Sequence, residues 1–210
     1  MYNRLQYISD GNTVEEQTQN IQKALQNGCK WIQLRFKKST PEDLFALAKS
    51  IKELCTNYHA TFIINDNVQL AKNIDADGVH LGLTDMKIDQ ARAILGNSKI
   101  IGGTANTLKD VLQRVEEKCD YIGLGPFQFT STKANLSPIL GLEGYHNIIE
   151  KLTSMHIEIP IYAIGGITLE NIEPLRQTGI YGVALSGLIT KCDNPTKLIN
   201  QLNEKLHDNI

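Results

Sequence analysis

At 210 residues the chain can bury one sizeable core, and with 41% hydrophobic and 21% charged residues it falls outside the disordered class. Its 21 basic side chains against 23 acidic ones leave a formal net charge of -2. That balance excludes a broad basic field for nucleic acid or an anionic membrane, so any bound anion must be held by local groups. No apolar run approaches the roughly 20 residues of a membrane-spanning helix, and the start, MYNRLQYISD, lacks the basic and apolar regions of a leader. Cys29, Cys55, Cys119 and Cys192 are scattered without metal-ligand spacing. A cytoplasmic protein with free thiols is expected.

The chain begins with a short aliphatic run, Leu5 to Ile8, and a helix whose start carries a capping box, Thr13 with Glu16. A second run, Trp31 to Leu34, precedes the clearest amphipathic segment, Pro41 to Tyr58. There Leu44, Leu47, Ala48, Ile51, Leu54 and Cys55 recur at three and four residues on one face. Thr40 is its expected N-cap, Pro41 suits the first helical position, and Asp43 favours the positive end of the dipole. Further runs follow at Thr61 to Ile64, Gly78 to Leu81, Lys99 to Ile101, Tyr121 to Leu124, Pro160 to Ala163 and Gly182 to Leu185. Thr168 and Asn194, the latter before Pro195, mark two later helix starts.

Eight runs alternating with helical segments imply parallel strands joined by right-handed crossovers. With no linker-like break in composition, the expected architecture is α/β, a (β/α)8 TIM barrel forming one domain over residues 1–210. A doubly wound open sheet is the alternative. It calls for a Gly-rich loop after the first strand, and Ser9-Asp10-Gly11-Asn12 is not one.

In such a barrel the site lies at the C-terminal strand ends. The second strand runs on through Gln33, Arg35 and Lys37, which share one side by period two. The third ends in Asn65-Asp66, the loop after the fourth holds Asp85, and the loop after the fifth is expected to begin Gly102-Gly103-Thr104. The sixth leads into Gly125 to Lys133, the seventh into Gly165-Gly166 and the eighth into Ser186-Gly187. Singly, each has a plain structural reading. Asn65-Asp66-Asn67 can cap a helix, the glycine pair can be a tight turn, Arg35 and Lys37 can be surface charges, and His80 can be a packed core residue.

Jointly they are two carboxylates, three cations, hydroxyls and Gly-rich turns at one end of a barrel. Asp66 and Asp85 are hard oxygen ligands suited to Mg2+, which binds one or two carboxylates together with phosphate oxygens. Arg35 and Lys133 offer charge to phosphate oxygens. Backbone N–H groups near Gly166, Ser186 and Gly187 occupy the loops where barrels commonly cradle a phosphomonoester. The mouth is thus expected to hold two anion sites, one assisted by metal and one neutral.

These residues resemble the thiamine phosphate synthase family along nearly the whole chain. The resemblance is carried by IQLRFK at 32–37, FIINDN at 62–67, DGVHLG at 77–82 with Asp85, IIGGT at 100–104, DYIGLGPF at 120–127, TSTK at 130–133, GLEG at 141–144 and AIGGIT at 163–168. It implies a transferase in which hydroxymethylpyrimidine pyrophosphate ionises with Mg2+ assistance and the thiazole phosphate nitrogen captures the pyrimidinylmethyl cation, releasing pyrophosphate. The expected catalytic groups are Arg35, Lys133, Asp66 and Asp85. Gln33, Arg35, Lys37, Asn65, Thr104 and Lys133 would hold the pyrimidine substrate, Asp66 and Asp85 the Mg2+, and Thr130, Ser131, Thr132, Gly166, Ser186 and Gly187 the thiazole phosphate. Phe36, Leu83, Thr104 and Asn106 stand where the family more often has an acidic residue, Gln, Ser and His. The expected partners are small-molecule substrates, not nucleic acid or membrane, and a homo-oligomer is allowed.

Two other readings use the same barrel. A thiazole tautomerase, a relative that moves a proton on the thiazole carboxylate phosphate, would carry a His after the sixth-strand glycine, where this chain has Pro126. A non-catalytic phosphate-ligand sensor would have less use for paired carboxylates opposite cations. Closure of the longest strand-to-helix connection, Phe129 to Leu140, over the substrates is a hypothesis that its length and TSTK content raise and the sequence does not decide.

Overall fold

A computed structural model of the chain describes residues 2–129 and 138–207. The expected substrate-binding residues Thr130, Ser131, Thr132 and Lys133, and most of the Phe129 to Leu140 connection, lie outside the described residues. The first half of the chain runs β1 (Leu5–Ile8), α1 (Val14–Gln26), β2 (Trp31–Leu34), α2 (Pro41–Asn57), β3 (Thr61–Asn65), α3 (Val68–Asn73), β4 (Gly78–Leu81), α4 (Ile88–Leu95) and β5 (Ile100–Ala105). The second half runs α5 (Leu108–Glu116), β6 (Tyr121–Leu124), α6 (Gly141–Ser154), β7 (Ile161–Ile164), a 3-10 turn (Leu169–Asn171), α7 (Ile172–Gln177), β8 (Gly182–Leu185), α8 (Gly187–Thr190) and α9 (Pro195–His207). The strands pair in parallel in chain order and β1 closes on β8 through Leu5↔Val183, completing a (β/α)8 barrel.

The helix starts follow from side-chain chemistry. Thr40 Oγ1 accepts from Asp43 N at 3.1 Å, and Asn194 Oδ1 from Lys197 N at 3.0 Å. Thr13 Oγ1 accepts from Glu16 N at 3.1 Å, but the Glu16 carboxylate reaches back to Asn12 N at 2.6 Å, one residue before the expected capping-box partner. Thr168 opens the 3-10 turn.

Strand five departs from expectation. Gly102, Gly103 and Thr104 belong to β5 and pair with Tyr121, Ile122 and Gly123 of β6, so the loop begins after Ala105. Glycine pairs read locally as turns. Here the missing side chains serve packing: a Cβ on Gly102 would enter the Tyr121 ring, and one on Gly103 would lie 2.8 Å from Arg114 Cδ and Cys119 Sγ.

Outward side chains such as Ile32, Phe62, Val79, Ile101, Ile122 and Val183 form one core with the helices. Inward residues form a second, smaller core of Trp31, Ile63, Tyr121 and Tyr162, joined by Tyr2, Ile100 and Tyr181. The aromatic rings meet edge to face, Trp31 with Tyr121 at 4.9 Å and with Tyr162 at 5.2 Å between centroids. Their bulk is accommodated by glycines beside them in register, Gly102 opposite Tyr121 and Gly182 opposite Tyr162. This large-and-small layer plugs the barrel below the mouth. Cys29, Cys55 and Cys119 are buried and Cys192 is half-buried, all as free thiols. Burial pushes the first three up to about 12, so they are inert hydrophobes. Among the described residues no helix is long and apolar enough to cross a membrane.

Candidate active site

The C-terminal strand ends surround a cleft of about 750 Å³. Along one wall, Gln33, Arg35 and Lys37 emerge from β2, the sharing of one side that period two predicts. Ser9 holds this segment at two points. Its N–H donates to Gln33 O and its Oγ accepts from Arg35 N, both at 2.9 Å. Gln33 is only 1% exposed, and its amide Nε2 is buried without a hydrogen-bond partner among the described residues. A buried donor left unpaired costs roughly 1–3 kcal/mol, which is a reason to expect a ligand acceptor there.

Asn65 and Asp66 lie at the end of β3, also on the cleft. Asp66 takes a left-handed backbone conformation at φ 64°, one that aspartate tolerates better than most residues, while its N–H donates to His80 O at 2.9 Å. The capping role belongs to Asn67 alone, whose Oδ1 accepts from Leu70 N at 2.9 Å. Asp66 is therefore free of the cap and pairs instead with Lys37, Nζ to Oδ2 at 3.0 Å.

Asp85 is held by the loop after β4. Its Oδ2 accepts from Gly82 N at 2.6 Å, an approach that a side chain at Gly82 would obstruct. Burial, and then a side-chain hydrogen bond with Asp66, push the Asp85 carboxyl above its ordinary value, against the lowering effects of Gly82 N–H and Lys37. Two acidic groups from adjacent strands are thus brought face to face at the rim. Among the described residues no cluster of three or more His, Cys, Asp or Glu could cage a metal.

Behind them, Arg114 of α5 is 3% exposed and ties two strand ends together. Its Nε donates to Thr104 O at 3.1 Å and its Nη2 to Gly82 O at 2.9 Å, while Glu117 neutralises it at 2.7 Å. Arg114 thereby sets the spacing between the Asp85 loop and Thr104, which also lines the cleft. Arg114 is not among the residues that the strand-end pattern singles out. Its signal was a charge three residues from Val111 on the buried face of α5.

The opposite wall is built from β7 and β8. Gly165 and Gly166 have φ of 93° and 70°, and a Cβ on Gly166 would lie 2.6 Å from Phe129 O. The pair thus makes the expected turn and also brings its backbone against the cleft. Ser186 and Gly187 complete this wall, with Ser186 Oγ buried and without a partner among the described residues. The expectation of a neutral second anion site needs correction. Lys191 also lines the cleft, because α8 turns once after Gly187 and returns position 191 to the same face. The four-residue spacing was present in the sequence, but the shortness of α8 hid it.

The expected residues outside 130–133, namely Gln33, Arg35, Lys37, Asn65, Asp66, Asp85, Thr104, Gly166, Ser186 and Gly187, therefore all meet at one cleft. Comparisons with known proteins agree with this architecture. A family model described as thiamine monophosphate synthase matches residues 5–189. The thiamine-phosphate synthase of Flavobacterium psychrophilum is 65% identical over 206 residues, covering 98% of this chain and 100% of the relative. That of Flavobacterium johnsoniae is 62% identical, covering 100% and 99%. A solved thiamine phosphate pyrophosphorylase from Pyrococcus furiosus superposes with a TM-score of 0.82 at 30% identity, covering 97% of this chain and 95% of that one. With barrel, cleft and near-full-length sequence in agreement, the chain belongs to the thiamine monophosphate synthase family.

Proposed function

We propose that the cleft joins a pyrimidine pyrophosphate to a thiazole phosphate, breaking the bond between the pyrimidinylmethyl carbon and pyrophosphate oxygen and forming one from that carbon to the thiazole nitrogen. The observation that carries this reading is the facing pair Asp66 and Asp85 beside Arg35 and Lys37, set opposite the Gly165-Gly166 and Ser186-Gly187 wall. One side is built for a polyanion with a cation, the other for a phosphomonoester. A volume of about 750 Å³ accommodates two heterocycles together.

The acidic pair fits Mg2+. Burial first, and then contact with the Asp66 carboxyl, hold the Asp85 carboxyl above its usual range, and a divalent cation relieves the repulsion between the two. Two carboxylates, with no third His, Cys, Asp or Glu clustered on them among the described residues, match an ion that completes its shell with water and phosphate oxygens. When bound, the cation neutralises charge on the departing pyrophosphate. Arg35 contributes a bidentate fork and Lys37, released from Asp66, a point charge to the same oxygens. Gln33 Nε2 and Asn65 supply donors and acceptors that orient the pyrimidine ring. Ser186 Oγ, the adjacent backbone N–H groups and Lys191 hold the phosphomonoester, so the ring nitrogen faces the reacting carbon. Catalysis here is positioning and charge stabilisation, with no protein nucleophile.

Mixing the protein with both substrates, with Mg2+ or with EDTA, and oxidising the product to fluorescent thiochrome tests the reading. Product with Mg2+ and none with EDTA is expected. No product from folded protein under either condition would remove the reading in favour of proton exchange on the thiazole. Lys191→Met is expected to raise KM for the thiazole phosphate about fivefold and leave KM for the pyrimidine pyrophosphate unchanged, as removal of a single partly solvated charge on one substrate should. Equal changes in both constants would take Lys191 out of the phosphate site.

A further inference from the structure

A chain of buried polar side chains runs up the barrel axis from the aromatic plug to the cleft. Gln6 Nε2 donates to Tyr121 Oη at 3.2 Å, Tyr121 Oη lies 3.0 Å from His80 Nδ1, and His80 Nε2 lies 3.0 Å from Thr104 Oγ1. Gln6 is 1% exposed, Tyr121 0% and His80 7%. The chain has room because β5 and β6 present glycines beside it. A Cβ on Gly102 would enter the Tyr121 ring and one on Gly123 would lie 3.1 Å from His80 Cε1.

The direction of this chain follows from donor counting. The Gln6 amide nitrogen can only donate, so the Tyr121 oxygen accepts there. Tyr121 is fully buried and its pKa is raised by desolvation, so it keeps its proton. A second donation to its oxygen, from a protonated His80 Nδ1, would leave the phenolic hydrogen buried without an acceptor. The hydrogen therefore goes to His80 Nδ1, the ring hydrogen sits on Nε2, and Nε2–H donates to Thr104 Oγ1. The Thr104 hydroxyl hydrogen is then left to point into the cleft that Thr104 lines. In the other tautomer the hydroxyl would donate to Nε2 and turn its lone pairs toward the anion.

We propose that Gln6 and Tyr121 are positioning residues that hold His80 in its Nε2-protonated tautomer and so make Thr104 a hydrogen donor to the anion bound beside Arg35 and Lys37. The last step rests on the synthase reading; the tautomer does not. Tyr121 touches no substrate in this arrangement and acts through His80.

The test is a two-bond nitrogen-15 correlation spectrum of the histidine rings at pH above 8. The other four histidines, His59, His146, His156 and His207, are exposed and average their tautomers, whereas buried His80 shows one. The expected spectrum has a protonated Nε2 and a bare, hydrogen-bonded Nδ1. Tyr121→Phe is expected to bring the two nitrogens toward averaged shifts, and to raise KM for the pyrimidine pyrophosphate about tenfold while sparing KM for the thiazole phosphate. Gln6→Met, milder for folding, is expected to let the Nδ1-protonated form appear. A wild-type His80 protonated on Nδ1, or an unchanged tautomer in folded Tyr121→Phe, would overturn the proposal. The spectrum needs no substrate, so a failed synthase reading and a failed tautomer assignment are read separately.

Discussion

Asp85→Asn is expected to lower kcat about 1000-fold, an activation cost of about 4 kcal/mol, while leaving the barrel folded. The variant keeps an oxygen to accept from Gly82 N, so the loop geometry survives and only the charge is lost. Its stability follows from the direction of the Asp85 shift. The folded carboxyl is raised above its unfolded value by burial and by Asp66. The native state therefore binds that proton better than the unfolded chain, and the associated stabilisation is present at low pH and lost as pH rises through the folded value. At neutral pH the half-buried like-charge pair is a burden that Asn relieves, so the variant should melt no lower than wild type. Asp66→Asn is expected to behave alike, with Lys37, whose side chain is 58% exposed, returning to solvent at little cost. Rates with saturating Mg2+ and melting curves at pH 7 check both. Unchanged Mg2+-dependent rates in the two variants would sink the metal assignment.

Gly78→Ala is expected to abolish the stable fold, with an expected cost on the order of 4 kcal/mol or more. Gly78 starts β4 inside the barrel and pairs with Ile100 of β5. An added Cβ would overlap the Ile100 carbonyl oxygen and lie 2.7 Å from its carbon and 2.8 Å from its Cβ. Backbone in a closed ladder cannot retreat as a flexible side-chain end can, because β5 is also pinned to β6. Circular dichroism and a melting curve decide it. Gly96→Ala is a useful contrast. No atom lies within 4 Å of its Cβ position, so only the backbone, at φ 82° and ψ 177° in a region that essentially glycine alone occupies, opposes the change and the loss should be about 2 kcal/mol. Soluble, cooperatively melting Gly78→Ala protein would show that the ladder yields more than its geometry implies.

Local chemistry made most of the barrel readable in advance. The β-branched and aliphatic runs that became β1, β2, β4, β6 and β8 matched their strands in range because alternation of buried runs with amphipathic helices is written into neighbouring residues. The caps at Thr40 and Asn194 matched for the same reason, since capping needs only a few consecutive residues. At β5 the expectation ended the strand at Ile101 because glycine disfavours extended structure locally. The Gly102 pairing with Tyr121 comes from a residue 19 positions later, and no local rule contains it.

For the candidate site, the strand-end rule found the residues that leave the barrel directly, such as Arg35, Asn65 and Asp66. Groups whose role depends on a distant partner escaped it. Arg114 reads as a helix charge until the carbonyls of Gly82 and Thr104 converge on it. His80 reads as a core residue until Tyr121 and Thr104 are seen on either side of its ring.

By itself, then, the sequence determined the alternation of strand and helix, the capping residues, the polar set at one end of the strands and the family. Periodicity and motif order are properties of neighbours along the chain. Only the tertiary structure decided that Asp66 and Asp85 face each other beside Lys37, and that one hydrogen-bonded line links Gln6 to Thr104. These are distances between residues far apart in sequence, and barrel closure is what sets them.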